Sequence, residues 1–299
     1  KLAEKWLQKT AVDSELQVNE NDTQIHIKGR EFAYTIDRRT ALFTEMKFAG
    51  REYLNHPMEL NIWRAPTDND MYIKAEWKKA HYDKAYTRAY TTEVVQGKHG
   101  VKIVSHASVV AETVQKILDV TITWKIDASG KIDADIEAAK DGEFPDLPRF
   151  GVRMFLDKKL SDARYFGMGP QESYRDKHQA ASHGLYRANV RDLHEDYIRP
   201  QENGSHYDCG YVELNNSRYG MAAFSESTFS FNASYYTQEE LEKKTHNYEL
   251  TESDSVVFCV DYALNGIGSN SCGPVVLDQY RFDDVLFRFQ FTLIPYVKG

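Results

Sequence analysis

Cysteine is scarce in this chain. There are three in 299 residues, Cys209, Cys259 and Cys272, without paired or C-x-x-C spacing. So odd and sparse a set argues against a disulfide framework and fits a reducing, cytoplasmic setting. Long apolar runs are also missing. No stretch approaches the roughly 18 consecutive apolar residues that a membrane-crossing helix requires. Positive charge is in deficit, with 37 Lys and Arg against 45 Asp and Glu and a net charge of −8. Nucleic acid and acidic membrane surfaces, which attract basic proteins, are therefore poor partners. The opening residues, Lys1-Leu2-Ala3-Glu4-Lys5-Trp6, have neither a starting Met nor a signal-peptide core. They read as the middle of a longer protein cut at a domain boundary, with residues 1–20 a polar linker of helical tendency and 21–299 one domain. Alternating βαβ patterns, internal repeats and low-complexity tracts are absent as well, which removes the parallel-sheet folds.

What is present is period-two alternation. Ile25 and Ile27 alternate with polar neighbours, and Phe32, Tyr34 and Ile36 repeat the pattern. Val120, Ile122, Trp124 and Ile126 share one face. The turn Asp127-Ala128-Ser129-Gly130 then leads into Ile132, Ala134 and Ile136, a hairpin by composition. Phe150, Val152 and Met154 follow, and Phe287, Phe289, Phe291 and Leu293 close the series. Such alternation means antiparallel strands with one wet and one buried face. The expected fold is all-β, a large antiparallel β-sandwich. Two short helices are expected, one from Lys74 to about Tyr86 and one opened by the capping box Thr237-Gln238-Glu239-Glu240. Tyrosine is plentiful, 19 residues, and such rings either cover sheet edges or lie against sugar C–H faces.

One stretch stands out: Asn61-Ile62-Trp63-Arg64-Ala65-Pro66-Thr67-Asp68-Asn69-Asp70. Pro66 forces Ala65 out of helical geometry, and Asp68, Asn69 and Asp70 favour turns in which short acceptors bond nearby N–H groups. The expectation is a rigid polar corner, with the Trp63 indole buried and Arg64 bonded to loop acceptors. Glu172 and Glu202, in Gly-Pro-Gln-Glu and Pro-Gln-Glu-Asn-Gly, are the carboxylates nearest special backbone. A pair of carboxylic acids is what retaining glycoside hydrolysis requires, but in sharp loops each is expected to bond backbone N–H groups; Asn203 is placed beside them as a structural residue of the same motif. His178, His183, His194 and His206 lie within thirty residues at spacings that match no zinc motif. No metal site is expected from them.

Four blocks together resemble a known family. The decapeptide is similar to the motif that opens the C-terminal domain of the large bacterial β-galactosidases of glycoside hydrolase family 2, which also occurs as a separate small subunit. Tyr165-Phe166-Gly167-Met168-Gly169-Pro170-Gln171-Glu172-Ser173-Tyr174-Arg175-Asp176 agrees, as do Ile198-Arg199-Pro200-Gln201-Glu202-Asn203-Gly204 and Asn265-Gly266-Ile267-Gly268-Ser269-Asn270-Ser271-Cys272-Gly273-Pro274. The blocks stand in order over about 215 residues. The resemblance implies a galactose-mutarotase-like supersandwich. It further implies that the two catalytic glutamates and the Mg²⁺ and Na⁺ ligands lie on a barrel-bearing remainder or large subunit, so that this chain carries no catalytic residue and no cofactor. The implied partners are that remainder, a galactoside substrate and further subunits of an oligomer.

In the family the loop matching Gly266–Pro274 reaches the active-site rim, where a Trp gives a stacking platform. Matching back from Pro274, Cys272 takes the Trp position. Cys272, Ser271 and Asn270 are thus the implied substrate rim, with Met71 and Tyr72 from a loop shorter than its family counterpart. The other reading is a free-standing carbohydrate-binding or aldose-1-epimerase-like domain. Polarimetry of galactose mutarotation discriminates the two. A third is a domain that only braces an oligomer.

Overall fold

The computed structural model describes residues 15–298 except 114, 115 and 273. Antiparallel strands dominate it. A five-stranded sheet comes first, in sequence order: β1 (Gln17–Glu20), β2 (Gln24–Lys28), β3 (Phe32–Asp37), β4 (Leu42–Phe48) and β5 (Arg51–Glu52). The chain then runs through β6 (Leu54–Asn61), α1 (Ile73–Lys79), β7 (Tyr86–Gln96), β8 (Gly100–Val110), β9 (Leu118–Asp127), β10 (Ile132–Lys140) and β11 (Arg149–Asp157). It continues as β12 (Asp162–Gly169), β13 (Ser182–Asn189), β14 (His206–Asn215), β15 (Tyr219–Ser234), α2 (Gln238–Lys243), β16 (Ser255–Leu264) and β17 (Leu286–Val297).

These form one twelve-stranded sheet, and β15 forks it. Residues Tyr219–Phe224 of β15 pair with β17, which leads on through β10, β9 and β8 to β7. Residues Ser230–Ser234 pair with β16, which leads to β11 and β6. The two branches face each other across the core. Phe150 of β11 meets Phe287 of β17 edge-on, with ring centroids 4.8 Å apart. Trp124 ties in the smaller sheet by packing edge-on against Phe43 at 5.0 Å and donating its indole N–H to the Ala41 carbonyl at 2.8 Å. An indole buried without that acceptor would cost about 1–3 kcal/mol.

The expected hairpin is β9–β10, with Ile132 opposite Ile126 and Ile136 opposite Ile122. The closing strand β17 buries Phe287, Phe289, Phe291 and Leu293. Three local expectations need correction. The linker expected over 1–20 falls outside the described residues as far as 14; beyond that Leu16 is buried and Gln17–Glu20 are strand, paired with β2. The helix expected to reach Tyr86 stops at Lys79, because His81 takes a left-handed conformation (φ 58°). That turn lets Trp77 and Tyr82 reach the carbonyls of Asp146 and Pro145, at 2.8 and 2.7 Å. At α2, Thr237 caps as expected, its hydroxyl accepting from the Glu240 N–H at 3.1 Å. Glu240 does not reach back; its carboxylate accepts from the Thr251 N–H instead.

No helix among the described residues is long and apolar enough to cross a membrane.

Candidate functional site

The four sequence blocks, far apart in the chain, meet at one end of the sandwich. Asn61 ends β6 and its side-chain oxygen accepts from the Trp63 N–H at 3.0 Å. That turns the next residue inward, and Arg64 is fully buried. Its guanidinium donates twice to Asp70, at 2.7 and 3.2 Å, and also to the carbonyls of Asn265 (2.5 Å) and Gly266 (3.0 Å). The planar fork of arginine suits this arrangement, since one cation serves a carboxylate on one edge and two backbone oxygens on the other. Asp70 also accepts from the Thr67 N–H at 2.8 Å, closing the short 3₁₀ turn Asp68–Asp70.

Each remaining block is tied to this corner. The Asp68 N–H donates to the Gln201 side chain at 2.7 Å and the Glu202 N–H to the Ala65 carbonyl at 3.0 Å. Asn69 donates its amide to the Gly268 carbonyl at 2.9 Å. Asp176 accepts from the N–H groups of Ile267 and Gly268, at 3.0 and 2.8 Å. The base of the 266–274 loop is therefore held by Arg64, Asn69 and Asp176. Its outer part, Asn270, Ser271 and Cys272, is exposed, and Gly273 lies outside the described residues.

Met71 and Tyr72, 39 % and 65 % exposed, stand beside it. A small cleft of about 170 Å³ opens between the two segments, walled by Asn69, Tyr72, Ile73, Asn270 and Pro274. Tyr72 and Asn270 are thus brought together, whereas Met71, Ser271 and Cys272 are not part of that wall.

Glu172 and Glu202 are both buried and both occupied. Glu172 accepts from Lys177 Nζ at 2.5 Å, from the Tyr197 hydroxyl and from the Gly204 N–H at 2.7 Å. Gly204 sits at φ 70°, and a β-carbon there would lie 2.3 Å from the Leu193 carbonyl, so only glycine fits. Glu202 takes the Ser205 hydroxyl at 3.0 Å and Arg149 at 3.3 Å. The backbone N–H partner expected of Glu172 is present; for Glu202 the observed partners are side chains. Asn203 accepts from the Glu195 N–H at 3.0 Å and donates to the Gln201 carbonyl at 2.8 Å.

Arg149 was missed from sequence. It lies at 0 % exposure between Glu202 and Asp261, donating to Asp261 at 2.8 and 3.2 Å. Part of the signal was available: Asp261 is the one charge within the apolar run of β16, whereas β11 carries Arg149, Arg153 and Asp157, so the sequence alone does not single out Arg149 as its partner. Gly151 makes room for the pair, because a β-carbon there would come 2.5 Å from Asp261 Oδ1.

The histidines are dispersed. His178 Nδ1 meets the Tyr174 carbonyl at 3.0 Å, His183 Nε2 the Asp208 carbonyl at 3.0 Å and His206 Nδ1 the Met168 carbonyl at 3.2 Å. Among the described residues no three His, Cys, Asp or Glu side chains gather into a metal-binding group. His206 is stacked on Phe231 and only 1 % exposed, and burial pushes its imidazole down to about 4. Its unfolded value is about 6.5. The unfolded chain therefore binds the extra proton first, and stability present above pH ~6.5 is lost as pH falls towards ~4, by about 3 kcal/mol in total. His206→Phe should flatten that acid slope in urea midpoints measured across pH. An unchanged slope would assign it to another group.

A family model described as "Beta galactosidase small chain" matches residues 28–293. The chain belongs to the β-galactosidase small-chain family. The curated relatives it matches are more than three times its length. A β-galactosidase of Actinobacillus pleuropneumoniae is 43 % identical over 95 % of this chain and 28 % of its own length. One from Staphylococcus xylosus is 33 % identical over 94 % of this chain, again 28 % of its own length. The chain thus spans about 28 % of these relatives. Among solved structures, a galactose 1-epimerase from Lactobacillus acidophilus superposes with a TM-score of 0.47 at 8 % identity, covering 96 % of this chain and 100 % of that one. At that distance nothing passes from the epimerase to this small-chain member.

Proposed function

We propose that this chain is the C-terminal portion, or the small subunit, of a cytoplasmic enzyme that hydrolyses terminal β-D-galactosides. The barrel-bearing remainder supplies the catalytic glutamates and binds Mg²⁺ and Na⁺. This chain completes the rim of the active site and contributes to subunit assembly. The observation that carries the reading is the 266–274 loop, fixed at its base by three side chains from two other blocks while Asn270, Ser271 and Cys272 stay exposed. A loop held at the root and free at the tip is built to present residues to something outside the chain. Glu172 and Glu202 support the division of labour: Glu172 borders a cleft of about 470 Å³, but its carboxylate is taken by Lys177, Tyr197 and the Gly204 N–H, and that of Glu202 by Ser205 and Arg149, so neither is an unengaged carboxyl of the kind a proton donor needs.

The test is made in the assembled enzyme. Cys272→Trp should shift KM and acceptor preference severalfold and leave kcat for an activated galactoside within about tenfold, an allowance of ~1.4 kcal/mol. A bound galactoside inhibitor should slow thiol labelling of Cys272. If the substitution moves no kinetic constant and the inhibitor gives no protection, the loop does not border the site. The isolated chain should not turn over nitrophenyl β-galactoside. Activity that persists through purification and vanishes in Glu172→Gln would refute that part.

A further inference from the structure

Between β16 and β17 the chain makes one long excursion that carries the exposed tip Asn270–Cys272. Both legs of the excursion meet the same short turn. Tyr174 and Lys177 exchange backbone hydrogen bonds at 2.8 and 3.0 Å, which closes that turn around Arg175 and Asp176. The turn is seated on the body of the sandwich, since Ser173 donates to the Ser205 carbonyl at 2.7 Å and Lys177 to the buried Glu172. Its side chains then grip the excursion at separate points. Tyr174 is buried with Leu264 and Ile267 of the outgoing leg. Asp176 gives one oxygen to each of two N–H groups there, Oδ1 to Ile267 at 3.0 Å and Oδ2 to Gly268 at 2.8 Å. Arg175 donates to the Arg281 carbonyl of the returning leg at 2.7 Å.

Gly266 lets the carboxylate come this close, because a β-carbon there would lie 2.8 Å from Asp176 Oδ2 and 2.7 Å from Val276 of the returning leg. Hydrogen bonds to an ionised acceptor are roughly twice as strong as neutral ones, so Asp176 is the firmest point of the grip. It differs from Arg64, the other charge at this base. Arg64 is fully buried, whereas Asp176 is half-buried, and water can take part of its place. Loss of Asp176 should therefore loosen the loop and leave the domain folded. A tip that is already ordered gives up less freedom when it meets a ligand, which raises affinity without any added contact. On the rim reading above, we propose that Asp176, supported by Arg175, is a positioning residue of the enzyme. It fixes where Asn270–Cys272 stand and so sets aglycone affinity, without touching substrate.

The experiment uses the assembled enzyme carrying Asp176→Asn, which keeps the shape but puts an amide donor where one acceptor stood. Hydrogen exchange over residues 265–268 should be about tenfold faster than in wild type, with β11 and β16 unchanged. KM for a galactoside should rise about fivefold, the order of one hydrogen bond, with kcat within about twofold. In a Cys272→Trp background the effect of Asp176→Asn on KM should differ, because both act through the same tip. A loss of active enzyme at unchanged KM would mean that Asp176 only supports the fold. Unchanged exchange at 265–268 would overturn the proposal whatever Cys272→Trp does. Faster exchange with unchanged KM would overturn it as well; the rim reading then stands if Cys272→Trp alone still moves KM, and fails too if it does not. Should Asp176→Asn not assemble, Arg175→Met releases the returning leg instead. It should also raise KM, and no rise would overturn the proposal.

Discussion

Replacing Arg64 by leucine should destabilise the fold by about 3–5 kcal/mol, the range for removing one partner of a buried ion pair. The reason is the number of groups left behind. Asp70, at 2 % exposure, would keep its bond from Thr67 but lose its counter-charge, and the carbonyls of Asn265 and Gly266 would lose their donor. Arg64→Lys should fall in between, because a point charge cannot span a carboxylate and two carbonyls at once. Urea midpoints at pH 7 measure both. A loss below about 1 kcal/mol for the leucine variant, within the range of surface changes, would show that the corner is not held by this residue. In the assembled enzyme the Arg64→Lys variant should also raise KM, since the same guanidinium fixes the base of the 266–274 loop.

Arg149→Leu should be as severe, and its pH dependence should identify the cause. Arg149 is the counter-charge of two buried carboxylates, Glu202 and Asp261, at 3.3 and 2.8 Å. Burial already pushes the Asp261 carboxyl up to about 6 against the pull of Arg149. Without the guanidinium it will be raised further. A raised carboxyl favours the folded state at low pH, where it is protonated, and the benefit fades as pH rises through its folded value. The difference between variant and wild type should therefore be largest at and above neutrality, about 3–5 kcal/mol, and shrink as pH falls to ~6, below which Asp261 is protonated in both folded forms and the difference levels off. Taking the difference at each pH removes the opposite contribution of His206. Adding Asp261→Asn to Arg149→Leu should recover part of the loss at pH 7. A pH-independent difference, or no recovery in the double variant, would mean that lost packing dominates over the stranded charge.

Much of this molecule was legible in the chain itself. Wherever a strand has one wet face, side-chain alternation of period two reports both the strand and its buried side, as in β9, β10 and β17. Family membership was legible as well, because four loops with Pro, Gly, Asp and Asn in fixed order are local chemistry that survives in sequence. Where an element is decided by distant contacts, the sequence was silent or misleading. Helix α1 ends where Trp77 and Tyr82 must reach two carbonyls of residues 145 and 146, and no local propensity encodes those partners. Glu240 followed a capping-box pattern but found a better donor in Thr251, eleven residues away.

The site divides in the same way. The sequence by itself determined that Arg64, Asp70, Glu172 and Glu202 sit in turning loops, since proline fixes the backbone beside them and glycine, Asp and Asn permit the sharp turns whatever the rest of the chain does. It also determined the chain's acidity and its β architecture. Only the tertiary structure decided which charges neutralise one another: Arg64 with Asp70 and two carbonyls about 200 residues away, and Arg149 with Glu202 and Asp261. Burying an ion is favourable only when its counter-charge arrives with the right geometry. That geometry comes from strands and loops far apart in the chain, and it exists only once the sheet has closed.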